Sequence, residues 1–265
     1  MLRTIGLLLL SLFIGGQNPG PSITGVNASP PVVPTSYAGL QVWYSADCYT
    51  LTGSVCSTPS AGTLTTAWDD RSGNGVNMTV NGTCTFTANV LNSLPGVTFD
   101  GSTCYFSYPA LSTVNDVMTA FIVVKLGSTS VDGMAFGGNS HAFAYHLCDG
   151  TTRVEQAVDS QEIANMANGN ALCDLNWHNM NVQIFGNAAG STYSFRLGES
   201  SDGSGSNLSG QDFTGSDTVF GADGVSLASK LNGTVVEMFM YRTAAGLTSQ
   251  QILNLEAYLK AKYGI

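Results

Sequence analysis

Two long apolar runs interrupt a chain otherwise made of short alternating segments bounded by glycine, asparagine, proline and aspartate. Residues 118–125 and 235–241 are apolar at nearly every position. The first suits a strand at the centre of a sheet packed on one or both faces. Shorter strand candidates lie at 40–44, 76–80, 84–86, 96–99, 104–108, 134–136, 141–146, 180–185, 192–197 and 219–220. Residues 154–172 read as a short helix or an irregular excursion, and the Ser-Gly pairs of 201–209 as a flexible rim loop. Near the end the period changes. Thr248 followed by Gln251 has the form of a capping box, and Ile252, Leu255 and Leu259 give a helical stripe that ends at Gly264. About a dozen short strands and one terminal helix predict an all-β fold, two antiparallel sheets face to face in a sandwich with one C-terminal α-helix.

The 265 residues are enough for one full-sized core. Charged residues make up 10%, well below the ~25% usual in soluble domains, so Ser, Thr, Asn, Gly and backbone must carry the surface. The net charge of -9 comes without any cluster of Lys and Arg, which excludes nucleic acid and makes anionic membrane surfaces poor partners. At the start, Arg3 precedes the apolar run 5–14, too short for a bilayer span and of the length of a signal-peptide core. Residues 1–28 are therefore read as a signal peptide or as an apolar N-terminal arm, 29–36 as a linker, and 37–265 as the domain.

Six cysteines without a CxxC point to oxidation rather than metal binding. Of the fifteen connectivities, the sequential one pairs Cys48 with Cys56, Cys84 with Cys104, and Cys148 with Cys173. Asn77, Asn81, Asn207 and Asn232, with Asn27, open Asn-x-Ser/Thr acceptors for N-glycosylation.

Three stretches carry a family likeness. They are Gly39-Leu40-Gln41-Val42-Trp43-Tyr44-Ser45-Ala46-Asp47, then Trp68-Asp69-Asp70-Arg71-Ser72-Gly73-Asn74-Gly75, then Asn92-Ser93-Leu94-Pro95-Gly96-Val97-Thr98-Phe99-Asp100-Gly101-Ser102. With the closing strand 235–241 and the helix 255–265, the chain resembles the concanavalin A-like, laminin G-type jelly-roll domains of secreted bacterial proteins and viral particles. The likeness brackets 39–265 and is loose between 126 and 232. It implies a sandwich of curved sheets whose members bind glycans or proteins, coat particles, or accompany a catalytic domain. Within it Trp43 and Trp68 are expected in the core.

Direct chemistry is sparse. The related glucanases use a Glu-x-Asp-x-x-Glu strand, which is missing here; Glu155, Asp159 and Glu162 are the nearest grouping of acids. His141 and His146 fall on opposite faces of one strand, and no serine sits in Gly-x-Ser-x-Gly. Aspartates in oxygen-rich turns, Asp69, Asp70 and Asp100 foremost, are candidates for Ca2+. Trp177, flanked by Asn176, His178 and Asn179, is the candidate stacking plate for a sugar. The expectation is a non-catalytic, secreted or extracellular recognition or adhesion domain for a surface glycan or protein. Its alternatives are a structural protein of a virion or cell-surface appendage that assembles with copies of itself, and below that a glycoside hydrolase. No stable transmembrane span is expected.

Overall fold

The computed structural model describes residues 31–109, 111, 117–128, 135–138, 141–146, 153–157, 164–165, 174–185, 191–198, 200–208, 218–222 and 230–265. A 3-10 turn, Pro34–Ser36, leads into β1 (Leu40–Ser45), the hairpin of β2 (Thr50–Thr52) and β3 (Val55–Ser57), and β4 (Gly62–Thr63). Then come β5 (Thr79–Asn81), β6 (Thr85–Leu91), β7 (Leu94–Asp100), β8 (Tyr105–Tyr108) and the long β9 (Val117–Leu126). Next are β10 (Ala135–Gly138), β11 (His141–His146), β12 (Arg153–Ala157) and β13 (Ala164–Asn165). The last strands are β14 (Trp177–Phe185), β15 (Ser191–Leu197), β16 (Ser200–Leu208), β17 (Thr218–Phe220) and β18 (Asn232–Thr243), followed by helix α1 (Ser249–Tyr263).

Apart from the β2–β3 hairpin, a small sheet of its own, these strands form two antiparallel sheets. The larger runs β16-β15-β14-β9-β18-β7-β6-β4, and the smaller β13-β12-β11-β10-β17-β8-β5. β18 is long enough to hold two partners on one edge: Asn232 to Val235 pair with β7, and Glu237 to Tyr241 pair with β1. Between the sheets lies a core fed by alternate residues of each strand. Val42, Val97, Ile122, Val182 and Met238 from the larger sheet meet Phe106 and Phe220 from the smaller, with Trp68 stacked on Tyr49 and edge-on to Phe106. The two long apolar runs are β9 and β18 because both faces of the larger sheet are covered. Their other face, with Phe121, Val123, Phe239 and Tyr241, packs against Ile252, Leu255, Leu259 and Tyr263 of α1. Burial of each such side chain is worth about 1.5–3 kcal/mol relative to exposure. Thr248 caps the helix, its Oγ1 accepting from Gln251 N at 3.3 Å, and Gly264 ends it in a left-handed conformation, φ 77°.

A bulge in β18 decides what meets the helix. Val235 stands opposite Val124 and Glu237 opposite Val123, so Val236 is the extra residue. Strict alternation from Val235, which faces the sheets' common core, would send Glu237 into that core. With the bulge, Val236 joins the helix-side cluster and Glu237 meets donors there. Glu237 is fully buried. It accepts from Trp43 Nε1 at 2.6 Å and Tyr258 Oη at 2.8 Å through Oε1, and from Tyr263 Oη at 2.6 Å and Lys262 Nζ at 2.8 Å through Oε2. A second buried acid, Glu256, takes Nε and Nη2 of Arg196 at 2.7 and 2.9 Å and also accepts from Asn181.

Lys262 also reaches Asp47 at 3.0 Å, and Arg71, stacked 3.9 Å over the Trp43 ring, lies 3.8 Å from the same carboxylate. Burial on its own would raise the Asp47 carboxyl. The Lys262 ammonium, bonds from Ser45 and Lys262, and the Arg71 charge outweigh it and hold the group below the usual carboxylate range. A depressed carboxyl contributes stability that is complete above its unfolded pKa, ~3.9, and is lost as pH falls through the folded value. Asp47→Asn is therefore expected to lower the urea midpoint at pH 7 and to flatten its decline below pH ~4. Parallel decline of both proteins from pH 7 to 2 would refute this coupling.

Three local readings of the sequence differ from the structure. The compact unit begins at Val32, taking in the end of the stretch read as linker, because Pro34 is buried and its carbonyl accepts from Tyr241 Oη. Within 154–172, read as helix or excursion, β12 and β13 instead extend the smaller sheet by pairing with β11 and with each other. The Ser-Gly segment read as a rim loop contributes β16, an edge strand held to β15 by backbone pairing that asks nothing of side-chain pattern. Among the described residues no helix is long and apolar enough to cross a membrane.

Candidate functional site

On the outer face of the larger sheet, one straight row of paired residues crosses four strands. Trp177 of β14 stands opposite Lys125 of β9, Lys125 opposite Thr234 of β18, and Thr234 opposite Thr98 of β7. Their chain neighbours Leu126, Val235, Val97 and Phe99 point into the common core, which sends this row outward. Three interstrand spacings of about 4.8 Å make the row ~14 Å long. The row forms the floor of a groove of about 330 Å³, with Val90 and Asn232 on its walls.

Each element fixes its contribution. A tight turn precedes Trp177: Asp174 accepts from Asn176 N at 2.8 Å and Asn176 Nδ2 at 2.7 Å, and lies 2.7 Å from His178 Nε2. Burial on its own would raise the Asp174 carboxyl, but the His178 and Asn176 hydrogen bonds and the His178 charge together outweigh it and hold the group down at about 2. Leu175 in this turn takes a left-handed φ of 59°, uncommon for a leucine. At the centre, Thr98 and Thr234 hydroxyls are 3.0 Å apart and Thr87 continues the chain 3.3 Å from Thr98. At one end the Asn232 side chain sits between two glycines. A Cβ on Gly101 would come within 2.9 Å of Asn232 Cβ, and one on Gly127 would collide with Asn232 Oδ1. The carboxamide so held makes no side-chain hydrogen bond among the described residues and borders the groove. An aromatic face, an ammonium, a chain of hydroxyls and a positioned amide are together suited to a polyhydroxylated ligand that stacks on one ring and hydrogen-bonds along the sheet.

Of the residues proposed from the sequence as ligand contacts, Trp177 alone is among the described residues lining this groove. Asn176 is exposed and engaged with Asp174, while Asn179 is 5% exposed on β14 with its Oδ1 unpartnered. Sequence reasoning missed Lys125, Thr98 and Thr234, and saw Asn232 only as a glycan acceptor. A signal existed for two of them: Thr98 lies between the core residues Val97 and Phe99, and Lys125 between Val124 and Leu126.

The aspartates considered for calcium do not come together. Asp70 accepts from Trp43 N at 3.0 Å, Ser72 N at 2.9 Å, Ser72 Oγ at 2.7 Å and Val76 N at 3.1 Å. Asp69 accepts from Leu51 N at 2.7 Å. Asp100 holds its own turn through the N–H groups of Ser102, Thr103 and Cys104. Burial opposes its ionisation, yet these N–H bonds and the Thr103 hydroxyl carry its carboxyl well below the usual range. Carboxylates surrounded by N–H donors do not fit a cation, and among the described residues no three acids, histidines or cysteines converge on a metal position.

Two of the expected disulfides are present, Cys48–Cys56 and Cys84–Cys104; Cys148 and Cys173 lie outside the described residues. Asn77 is exposed and accepts from Asp70 N at 2.9 Å. Asn81 Nδ2, the atom a glycan would occupy, donates to Thr79 O and Ser107 Oγ, each at 3.1 Å. Asn207 is on β16. His141 and His146 share β11 and Glu155 is on β12, whereas Asp159 and Glu162 lie outside the described residues.

No protein-family profile matches the sequence, and no curated protein does. Solved structures share the fold. Domain 4 of AbnA, an extracellular GH43 arabinanase from Geobacillus stearothermophilus solved with arabinotriose, is similar at a TM-score of 0.54 and 17% identity, over 82% of this chain and 98% of that domain. The binding domain of Paraclostridial Mosquitocidal Protein 1 gives 0.54 at 12% identity, over 83% of this chain and 52% of that one. Trypanosoma rangeli sialidase gives 0.52 at 14%, over 86% of this chain and 34% of that enzyme. At these identities the likeness is one of fold, an all-β sandwich, which in this chain ends in a single C-terminal helix.

Proposed function

We propose that the protein is a non-catalytic extracellular recognition domain that binds a saccharide in the outer groove of its larger sheet. The observation that carries this is the row Trp177, Lys125, Thr234, Thr98, which offers a stacking surface and hydrogen-bonding groups in one line over ~14 Å, enough for a short oligosaccharide. The fold is compatible: the AbnA domain, similar over nearly all of its length, was solved with arabinotriose, and the mosquitocidal domain is a binding domain. Kinship with the concanavalin A-like, laminin G-type group belongs to the same proposal, and two disulfides fit an oxidising, extracellular setting.

The test is retention of the full-length protein on a panel of immobilised plant, bacterial and animal polysaccharides, followed by calorimetry with oligosaccharides of any that retain it. Trp177→Ala is expected to weaken binding at least tenfold, about 1.4 kcal/mol. Because Trp177 also packs on the helix-side cluster, Thr234→Val serves as a second variant that removes only a hydroxyl. Binding that neither variant weakens would place the ligand elsewhere, and no retention on any member would sink the proposal.

A further inference from the structure

We infer that the groove is selective for an acidic saccharide, a hexuronate, whose carboxylate is read by Lys125; this rests on the groove being a saccharide site. Among the described residues lining the groove, Lys125 is the one that is charged. It is exposed while its partners across the strands, Trp177 and Thr234, are uncharged. Among the lysines and arginines whose side chains are described, Lys125 alone has no charged or hydrogen-bonding partner. Arg71 is taken by Asp47 and Trp43, Arg196 by Glu256, Lys262 by Glu237 and Asp47, and the others are also engaged. In a chain with 18 acids and nine bases, a cation left unpaired and with no acid beside it leaves room for an acid brought by the ligand.

The geometry favours a carboxylate attached directly to a stacked ring. Residues opposite one another on antiparallel strands hold their Cβ atoms ~5 Å apart, so the ammonium stands one strand away from the Trp177 ring. A pyranose lying on Trp177 carries its C6 carboxylate over that distance, with its hydroxyls toward Thr234 and Asn232. A neutral hexose in the same pose would leave the ammonium facing a hydroxyl.

The experiment compares tri-galacturonic acid with its fully methyl-esterified form, by calorimetry on the full-length protein at 20 mM and 500 mM NaCl. The acid is expected to bind about fivefold tighter than the ester at low salt, with the preference shrinking at high salt. Lys125→Met is expected to bring the ratio of the two affinities close to one. Equal binding of acid and ester, lost in Trp177→Ala, would overturn the charge selectivity and leave the saccharide groove standing. A preference for the acid that survives Lys125→Met would also overturn it. Binding of neither probe would overturn the hexuronate assignment, and retention on the neutral polysaccharides then decides the groove separately.

Discussion

Glu237→Ala is expected to destabilise the fold by about 3–5 kcal/mol, seen as a lower urea midpoint with an unchanged slope. The carboxylate is fully buried beneath α1, and its removal leaves three neutral donors without their acceptor and the Lys262 ammonium to Asp47 and Ser45, around a void. A buried ion pair adds little over a well-packed apolar pair, but breaking one leaves buried donors and a charge poorly compensated, here by Asp47 alone. Adding Lys262→Met to Glu237→Ala should therefore cost less than the two single losses together. A Glu237→Ala loss below about 1 kcal/mol would mean that water enters and solvates the cluster. The helix contributes three of the four donors or their neighbours, so the same variant is expected to loosen α1 first, visible as faster amide exchange across residues 249–263.

Removing the Cys84–Cys104 disulfide as the pair Cys84→Ala and Cys104→Ala is expected to cost about 3 kcal/mol from the released loop alone, since the bond spans 20 residues. Both half-cystines are fully buried in the core between the sheets, where they tie the start of β6 to the start of β8, so small cavities add to the loss. Cys48–Cys56 spans eight residues across the β2–β3 hairpin, and Cys56 is exposed. Its removal should cost less. Timed alkylation and mass mapping under dithiothreitol should find Cys56 modified before Cys84 or Cys104. The reverse order would show that the buried bond is reached through local opening rather than shielded by the core.

The sheet architecture could be read from the chain because its strands alternate or run apolar in ways that only a covered sheet explains. The two longest runs became adjacent central strands, and the capping box and Gly264 bounded the helix as expected. What resisted was structure specified by backbone pairing. β16, with the sequence Ser-Ser-Asp-Gly-Ser-Gly-Ser-Asn-Leu, has no apolar period to betray it and exists because β15 offers a free edge. The groove was legible at one point, Trp177, and otherwise depended on register. Nothing in the local sequence says that Lys125, Thr234 and Thr98 fall in one line, since that is fixed by pairings across more than a hundred residues and by the bulge at Val236.

The pairing of β1 with the far half of β18 has a consequence for how the chain is made. Val42 and Tyr44 find their backbone partners only when residues 237–241 exist, nearly two hundred residues later, and β9 likewise waits for both of its neighbours, β14 and β18. The contact order is high, and no early portion of the sheet can close on its own. A ribosome-bound chain therefore carries its most apolar strand with one edge open until the last strand emerges, so the hazard of association falls on the nascent chain rather than the finished protein. Once β18 docks, it seals three strands in a single event, and folding is expected to be cooperative and late.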